Sequence, residues 1–357
     1  MSGFLSEYGL FLAKSLTIIL GVLTVVAFSL SMVVFKKKGK EDGYLEIENI
    51  NDKLEDLQDS LESEILTKQE YKKLQKVRKK EKKLEEKSKK QLAKQQDNTD
   101  KEESEKPRIF VLKFNGDLTA SQSEHLREEI TAVLTVTKKN DEVLVIIDSN
   151  GGIVHNYGFA AAQLQRIKQN NINLVVGVDL VAASGGYMMA CVANKIIAAP
   201  FAIVGSIGVM AQIPNFNKLL EKHNIDIEHH TSGEYKTTLT MFGKNTEKGR
   251  EKFIAELEDT HKLFKEFIKN NRSKIDLKKV ATGEYWYGIQ ALELELIDEV
   301  ITSDSYLMQK SKDYDIYTLK YTIPESFKEK ISNIFSKTTN YILEKLTCVP
   351  MSQSSFK

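Results

Sequence analysis

Strands alternate with helices along residues 108–303, and this alternation restricts the fold more than any other feature. Short apolar runs predict buried strands at 109–114, 142–147, 174–178, 196–199, 203–210 and 225–228. The spacing of apolar residues predicts helices at 124–136, 154–168, 188–192, 216–223, 247–270 and 290–297. Strands joined by helical crossovers build a mostly parallel sheet. The sequence therefore predicts an α/β domain at residues 107–303, followed by a C-terminal extension at 304–357.

A long uncharged segment precedes this domain. Residues 15–35 contain no charged side chain, and at about 1.5 Å per residue they span the hydrocarbon core of a bilayer. A cleaved signal peptide fits less well, because the apolar part is long and its charged flank lies mostly on the C-terminal side. We interpret residues 1–40 as an N-terminal transmembrane anchor. The lysines after it favour a cytoplasmic position for the following residues, although this rule is weaker for a long translocated domain.

Residues 41–106 form a lysine-rich segment with helical patterns. Its apolar residues repeat at a 3-4-3-4 spacing, which is typical of a heptad stripe on a helix. The stripe consists of Ile47, Ile50, Leu54, Leu57 and Leu61. Thr67 and Glu70 form a capping-box pattern that opens a second helix, and residues 68–94 carry 13 basic and four acidic side chains. The basic run is either a solvated helix face or a surface for anionic lipid headgroups; a nucleic-acid role fits less well.

The composition and the short motifs disfavour several classes of function. The formal net charge of +1 shows no overall bias toward nucleic acid or an acidic partner. Cys191 and Cys348 are far apart, and Cys191 lies in an apolar run, so a buried core residue is favoured over a disulfide or a metal ligand. No Cys/His cluster has metal-ligand spacing, and no Walker A loop or G-x-G-x-x-G motif occurs. We expect no metal and no cofactor.

A serine flanked by small residues stands at a predicted strand-to-helix turn. Residues 181–187 read Val-Ala-Ala-Ser-Gly-Gly-Tyr. Such a turn makes the Ser184 hydroxyl accessible, and Gly185 and Gly186 let another backbone come close. Two roles fit these residues alone: Ser184 is a nucleophile, or it caps the following helix.

A nucleophilic serine needs a base. The candidates are Lys236, the acidic side chains and the histidines at 155, 223, 229 and 230. Lys236 follows Ser184 in a loop marked by Gly and Ser, and its amine must be neutral to accept a proton, which burial in an apolar pocket favours. The alternative interpretation is that Lys236 is an ordinary surface lysine.

The developing oxyanion needs backbone N–H donors. Gly151 and Gly152 at the end of a predicted strand can supply them, as can the N–H of Gly185, although a plain turn explains the paired glycines equally well. The hydroxyl of Ser206 can orient the amine of the base. Taken alone, the segment around Ser206 is a glycine-rich strand.

Together these motifs resemble the signal peptide peptidase A/SohB family of serine peptidases. The motifs that carry the resemblance are Asp-Ser-Asn-Gly-Gly-Ile-Val (148–154), Val-Ala-Ala-Ser-Gly-Gly-Tyr (181–187), Gly-Ser-Ile-Gly-Val (205–209) and Ser-Gly-Glu-Tyr-Lys (232–236). With residues 241–253 and the lysine-rich segment, the chain looks closest to the SohB branch.

The resemblance implies a ClpP/crotonase-like spiral fold and a serine endopeptidase with a Ser/Lys dyad. It assigns Ser184 as nucleophile, Lys236 as general base, Ser206 as the residue that orients the lysine, and Gly151, Gly152 and Gly185 as oxyanion-hole residues. It also implies peptide or protein substrates, a homo-oligomer and a bacterial inner-membrane location, and it favours the periplasmic side.

The chain departs from the family pattern at two places. Asn150 stands where proline is usual, so the loop is less restrained. Glu295 stands where glycine is usual. Because glycine most readily adopts the left-handed conformation that ends a helix, the sequence does not clearly predict a C-cap there. Two other functions share part of the pattern: a crotonase-type acyl-CoA hydratase or isomerase, and a non-catalytic membrane scaffold.

Overall fold

The computed structural model describes residues 43–95 and 106–324, together with residues 9–11, 14, 15, 17 and 21. Most of the predicted anchor at 15–35 and most of the predicted C-terminal extension lie outside the described residues, as does Cys348. Within the described part of the chain, no helix is both long enough and apolar enough to cross a membrane.

Strands and helices alternate through the described residues, as the apolar pattern predicts. The helices are α1 (Ile50–Ile65), α2 (Lys68–Gln95), α3 (Ser123–Val136), α4 (Val154–Gln169), α5 (Gly185–Ala190), α6 (Asn217–Lys222), α7 (Glu247–Asn271), α8 (Leu277–Val280), α9 (Gly288–Glu293) and α10 (Ser303–Lys310). The strands are β1 (Tyr44–Asn49), β2 (Arg108–Gly116), β3 (Glu142–Ser149), β4 (Asn173–Val178), β5 (Val181–Ala183), β6 (Lys195–Ala198), β7 (Ile203–Gly205), β8 (Tyr285–Tyr287), β9 (Glu299–Val300) and β10 (Asp315–Thr322).

The strands form one mixed sheet that is mostly parallel. Its main path runs β1-β10-β2-β3-β4-β6-β9, and β5, β7 and β8 continue the sheet from the end of β3. The pairings from β10 to β9 are parallel, as are those of β3 with β5 and of β5 with β7. Only β7 with β8 is antiparallel among the pairings of the described strands that have a defined register. The predicted α/β class is therefore confirmed.

The central strand β3 is buried on both faces, which explains its continuous apolar sequence. Val143 and Ile147 pack on one face with Leu126 of α3 and Leu164 of α4. Leu144 packs on the other face, in the same cluster as residues of α10. Helices on both faces fix the strand firmly, so the loop that follows it starts from a rigid support.

Helices α1 and α2 form a hairpin before the α/β domain. The predicted capping box is present: the Thr67 N–H donates to Glu70 Oε2 at 3.0 Å, and the Glu70 N–H donates to Thr67 Oγ1 at 3.4 Å. Arg78 of α2 pairs with Asp59 and Glu62 of α1. Ile47 lies in strand β1, so the helical stripe begins at Ile50 and not at Ile47.

Some local predictions are wrong. Residues 225–228 form no strand and belong to an exposed loop. Strand β7 stops at Gly205, because Gly205 and Ser206 both have positive φ. The helix predicted at 290–297 is the shorter Gly288–Glu293, and Glu295 supplies the left-handed residue after it, with φ of 59°. The helix therefore ends with the usual backbone turn although glycine is absent.

A buried glutamate makes the stability of the domain depend on pH. Glu129 of α3 is 4% exposed, and its Oε1 accepts the Tyr321 N–H at 2.8 Å. Burial raises the pKa of Glu129 to about 7. The native state thus binds the proton more tightly than the unfolded state. The resulting stability is fully present below the ordinary pKa near 4.5 and is lost as the pH rises through 7.

We expect Glu129→Gln to stabilise the protein more at pH 8 than at pH 5. Glutamine keeps the acceptor for Tyr321 and cannot ionise, so its advantage grows by about 2 kcal/mol between the two pH values. Urea unfolding followed by the fluorescence of Trp286, the one tryptophan of the chain, measures this difference. Glu124→Gln on the exposed face of α3 is the matched control. An equal gain at both pH values contradicts the prediction.

Candidate active site

Three strand ends bring the predicted site loops together. Ser149 of β3 pairs with Ala182 of β5, and Ala183 of β5 pairs with Gly205 of β7. All three strands are parallel, so the chain leaves them at one edge of the sheet. Ligands of parallel α/β sheets bind at this edge. The loops that begin at residues 150, 184 and 206 therefore lie side by side.

Ser184 occupies a strained turn between β5 and α5. Its φ of 53° and ψ of −115° are unusual for a residue with a side chain. The Ser184 N–H donates to Gly205 O at 2.7 Å. The side chain accepts no hydrogen bond from the first turn of α5. The capping role is therefore absent, and the conformation is one that persists where the surroundings enforce it, often at functional sites.

Gly151 lies directly against the Ser184 turn. A Cβ atom on Gly151 would be 2.6 Å from the Gly185 nitrogen and 2.8 Å from Ser184 Cβ, and the φ of Gly151 is +83°. Only glycine satisfies both conditions without displacement of the backbone. The structure thus brings Ser184, Gly185 and Gly151 together, as the sequence predicts.

The backbone N–H groups around Ser184 differ in availability. The Gly151 N–H donates to Ser149 Oγ at 3.0 Å. Gly152 and Gly185 donate to no acceptor among the described residues. Two of the three predicted glycines therefore have an N–H without an acceptor in the described part of the chain, and the N–H of the third is already engaged.

Ser206 follows β7 as Ser184 follows β5, so the two serines are neighbours across the β5–β7 pairing. Ser206 also has a positive φ, of 50°, and its N–H donates to Glu284 O at 2.7 Å. Its hydroxyl has no hydrogen-bond partner in the described chain. This side chain is free to bind a further group beside Ser184.

The Lys236 side chain is not hydrogen-bonded to any of these groups. It is exposed, in a loop that spans residues 223–246 and contains no helix or strand. Its backbone N–H donates to Gly233 O, but its ammonium forms no hydrogen bond or ion pair with any described residue. The structure does not join Lys236 to Ser184. The exposed histidines at 155, 223, 229 and 230 form no hydrogen bond with Ser184 either.

The remaining ligand predictions concern cysteine and metals. Cys191 is fully buried in α5's C-terminal turn, and burial raises the pKa of its thiol to about 12. This agrees with a core role. Among the residues that the structure describes, no group of three His, Cys, Asp or Glu side chains is arranged to hold a metal ion.

Sequence reasoning missed two buried polar residues beneath the turn, Ser149 and Tyr157. Tyr157 of α4 is 0% exposed, and a Cβ on Gly185 would be 2.4 Å from the Tyr157 ring. The Tyr157 hydroxyl lies 2.6 Å from Ser149 Oγ. Tyr157 occupies an apolar helix position, where a tyrosine is indistinguishable from a core aromatic. Only its depth within the fold reveals the contact.

The strained serine on a parallel α/β sheet, next to unpaired backbone N–H groups, is the arrangement of a serine hydrolase. Comparison with known proteins narrows this class to peptidases. The chain matches "Peptidase family S49 N-terminal" over residues 3–164 and "Peptidase family S49" over residues 166–316. It therefore belongs to peptidase family S49, in the SohB branch, and is a serine peptidase.

Curated relatives extend over almost the whole chain. "Probable protease SohB" of Haemophilus influenzae is 49% identical over 331 residues, 92% of either chain. The protein of the same name from Buchnera aphidicola subsp. Schlechtendalia chinensis is 45% identical over 307 residues, 86% of this chain and 99% of that one. A solved membrane-bound stomatin-specific protease is 16% identical with a TM-score of 0.35, over 65% of this chain and 99% of that one.

Proposed function

We propose that the chain is a membrane-anchored serine endopeptidase that acts through a Ser184/Lys236 dyad and an acyl-enzyme. The observation that carries this proposal is the position of Ser184: it lies in an enforced turn, the unpaired N–H of Gly185 follows it directly, and Gly151, the neighbour of Gly152, packs against it. Family membership supports the peptidase reaction. The proposed fold subclass is the ClpP/crotonase-like spiral.

The reaction has two halves. Lys236 accepts the proton of the Ser184 hydroxyl, and Ser184 Oγ attacks the carbonyl carbon of a peptide bond. We assign the oxyanion donors to the N–H groups of Gly152 and Gly185, because Ser149 already accepts the N–H of Gly151. The amine product leaves with a proton from Lys236. Water, activated by Lys236, then hydrolyses the ester and restores Ser184.

The loop that carries Lys236 needs a partner surface to reach this arrangement. Residues 208–246 expose large apolar side chains that a monomer does not cover. These include Met210, Phe216, Leu219, Ile225, Met241 and Phe242. A contiguous exposed apolar segment of this kind is typical of an interface. We propose a homo-oligomer in which packing against a second copy orders the segment, buries Lys236 and places it beside Ser184 and Ser206.

The remaining assignments rest on the sequence and on the family. Residues 1–40 are the proposed single anchor in the inner membrane, residues 41–106 the lysine-rich helical segment, 107–303 the peptidase domain and 304–357 the C-terminal extension. We place the peptidase domain on the periplasmic side. Protease added to cells stripped of their outer membrane degrades this domain if the placement is correct and leaves it intact if it is cytoplasmic.

A direct assay distinguishes the proposed function from its two alternatives. The full chain, purified in detergent, is incubated in parallel with a reduced and carboxymethylated protein and with an unsaturated acyl-CoA. We expect cleavage of the unfolded protein, measured by mass spectrometry of the products, and no change in the acyl-CoA. Acyl-CoA turnover without proteolysis identifies a crotonase-type enzyme. Absence of both reactions favours the scaffold and contradicts the proposal.

A further inference from the structure

A chain of buried hydrogen bonds lies directly under the proposed oxyanion site. The Gly151 N–H donates to Ser149 Oγ at 3.0 Å, Ser149 Oγ lies 2.6 Å from the Tyr157 hydroxyl, and Tyr157 donates to Asp117 O at 2.7 Å. Ser149 is 2% exposed and Tyr157 is fully buried. Water therefore does not replace the central contact between Ser149 and Tyr157 in the folded domain.

The direction of each hydrogen bond follows from the chemistry of the groups. A backbone N–H can only donate and a backbone carbonyl can only accept. Tyr157 has one hydroxyl proton, which the Asp117 carbonyl receives, so the Ser149 hydroxyl donates to the Tyr157 oxygen. Burial raises the pKa of Tyr157 above its usual range, which keeps that proton in place. The Ser149 hydroxyl also lies 3.4 Å from Gly116 O, a longer contact than the 2.6 Å to the Tyr157 oxygen. We therefore take the shorter contacts as the relay, which runs from Gly151 through Ser149 and Tyr157 to Asp117.

Tyr157 also supports the other side of the proposed oxyanion site. Its ring lies where a Cβ atom of Gly185 would be, with the ring carbon Cγ 2.4 Å from that position. A single side chain thus contacts Gly185 by its ring and holds Gly151 through Ser149 by its hydroxyl. These two glycines are the ones that pack against each other at the Ser184 turn.

We propose that Tyr157, through Ser149, is a positioning residue that sets the separation of the two backbone segments that bind the oxyanion. The proposal rests on the proposed function, since it assigns a role in that reaction. An oxyanion hole acts because its donors are oriented before the charge develops. Hydrogen bonds in series also strengthen one another. Loss of the Tyr157 hydroxyl releases Ser149 and Gly151, while the ring and the substrate-binding surface remain.

The chain contains a matched control for this substitution. Tyr187 of α5 is also fully buried, and its hydroxyl donates to a backbone carbonyl, Leu296 O, at 2.9 Å. Tyr157→Phe and Tyr187→Phe each remove one buried tyrosine hydroxyl from the same core. Only the first removal breaks a hydrogen-bond chain to Gly151. A purely structural role predicts the same consequences for both variants.

The experiment compares the parent, both tyrosine variants and Ser149→Ala in the full chain. We expect Tyr157→Phe and Ser149→Ala to lower kcat about 10- to 100-fold, because a misplaced oxyanion donor loses part of the stabilisation that its complete removal would cost. KM should stay within about twofold of the parent value. Tyr187→Phe should keep kcat within about twofold of the parent. Equal kcat for the two tyrosine variants overturns the positioning role, as does a change in KM alone.

Amide hydrogen exchange provides a readout that does not depend on catalysis. We expect faster exchange of the Gly151 amide in Tyr157→Phe and Ser149→Ala, and no change there in Tyr187→Phe. Equal exchange at Gly151 in all four proteins overturns the relay. If the parent cleaves no peptide but Gly151 still exchanges faster in Tyr157→Phe and Ser149→Ala, the proposed function is contradicted and the relay remains a structural feature without a catalytic role. The two failures are therefore distinguishable.

Discussion

Ser184→Ala and Ser184→Gly are both expected to abolish peptide hydrolysis while the protein stays folded. Loss of the nucleophile of a serine peptidase lowers kcat by about 10⁶-fold, because the remaining groups bind the substrate without an attacking atom. The two variants differ in stability. Alanine keeps the strained backbone at φ of 53°, whereas glycine adopts that conformation freely.

The stability difference tests whether the turn stores strain for function. We expect Ser184→Gly to be more stable than Ser184→Ala by about 1–2 kcal/mol, within the usual cost of such a backbone conformation. Urea unfolding of both variants in the same detergent measures this gap. The backbone at Gly205 accepts the 184 N–H in both proteins, so the comparison isolates the φ preference. Equal stability, or residual cleavage in either variant, contradicts the role assigned to this turn.

Lys236→Ala is expected to lower kcat by about 10³- to 10⁴-fold, in the upper range for loss of a general base. Lys236→Arg should be equally inactive, because a guanidinium does not lose its proton in proteins. The arginine variant is informative because it keeps the charge and the approximate length of the side chain. Activity of the arginine variant near that of the parent contradicts a proton-accepting role.

A second lysine of the same region serves as the control. Lys244 is exposed, and its ammonium, like that of Lys236, forms no ion pair or hydrogen bond within the described chain. Lys244→Ala should retain kcat within about twofold. The oligomeric state of each variant, from native mass spectrometry, separates loss of the base from loss of assembly. If Lys244→Ala loses as much activity as Lys236→Ala, activity depends on the total charge or the folded conformation of the loop. That result contradicts a specific role for the Lys236 amine.

The architecture of the catalytic core was accessible from the sequence because its signals are local. The run at 142–147 is apolar without interruption, and a strand buried on both faces requires that pattern. Gly185 was predicted to let another backbone come close, and the structure shows that Gly151 packs against it. The capping box at Thr67 and Glu70 is likewise encoded within four residues.

Other features depend on contacts between residues far apart in sequence. The relay from Gly151 to Asp117 passes through Tyr157, which looks like any core aromatic in the sequence. The sequence does not distinguish the three glycines proposed as oxyanion donors, because the hydrogen bond from the Gly151 N–H to Ser149 Oγ appears only in the structure. Residues 225–228 have the composition of a strand, but no neighbouring strand pairs with them among the described residues. Composition alone carries no information on pairing.

The most direct test of the account is the site of acylation during turnover. The full chain is mixed with a peptide ester, quenched in acid and digested for peptide mapping by mass spectrometry. We expect a single acyl group on Ser184, absent from Ser184→Ala and formed far more slowly in Lys236→Ala. An acyl group on another residue, or one that persists in Ser184→Ala, would contradict this expectation.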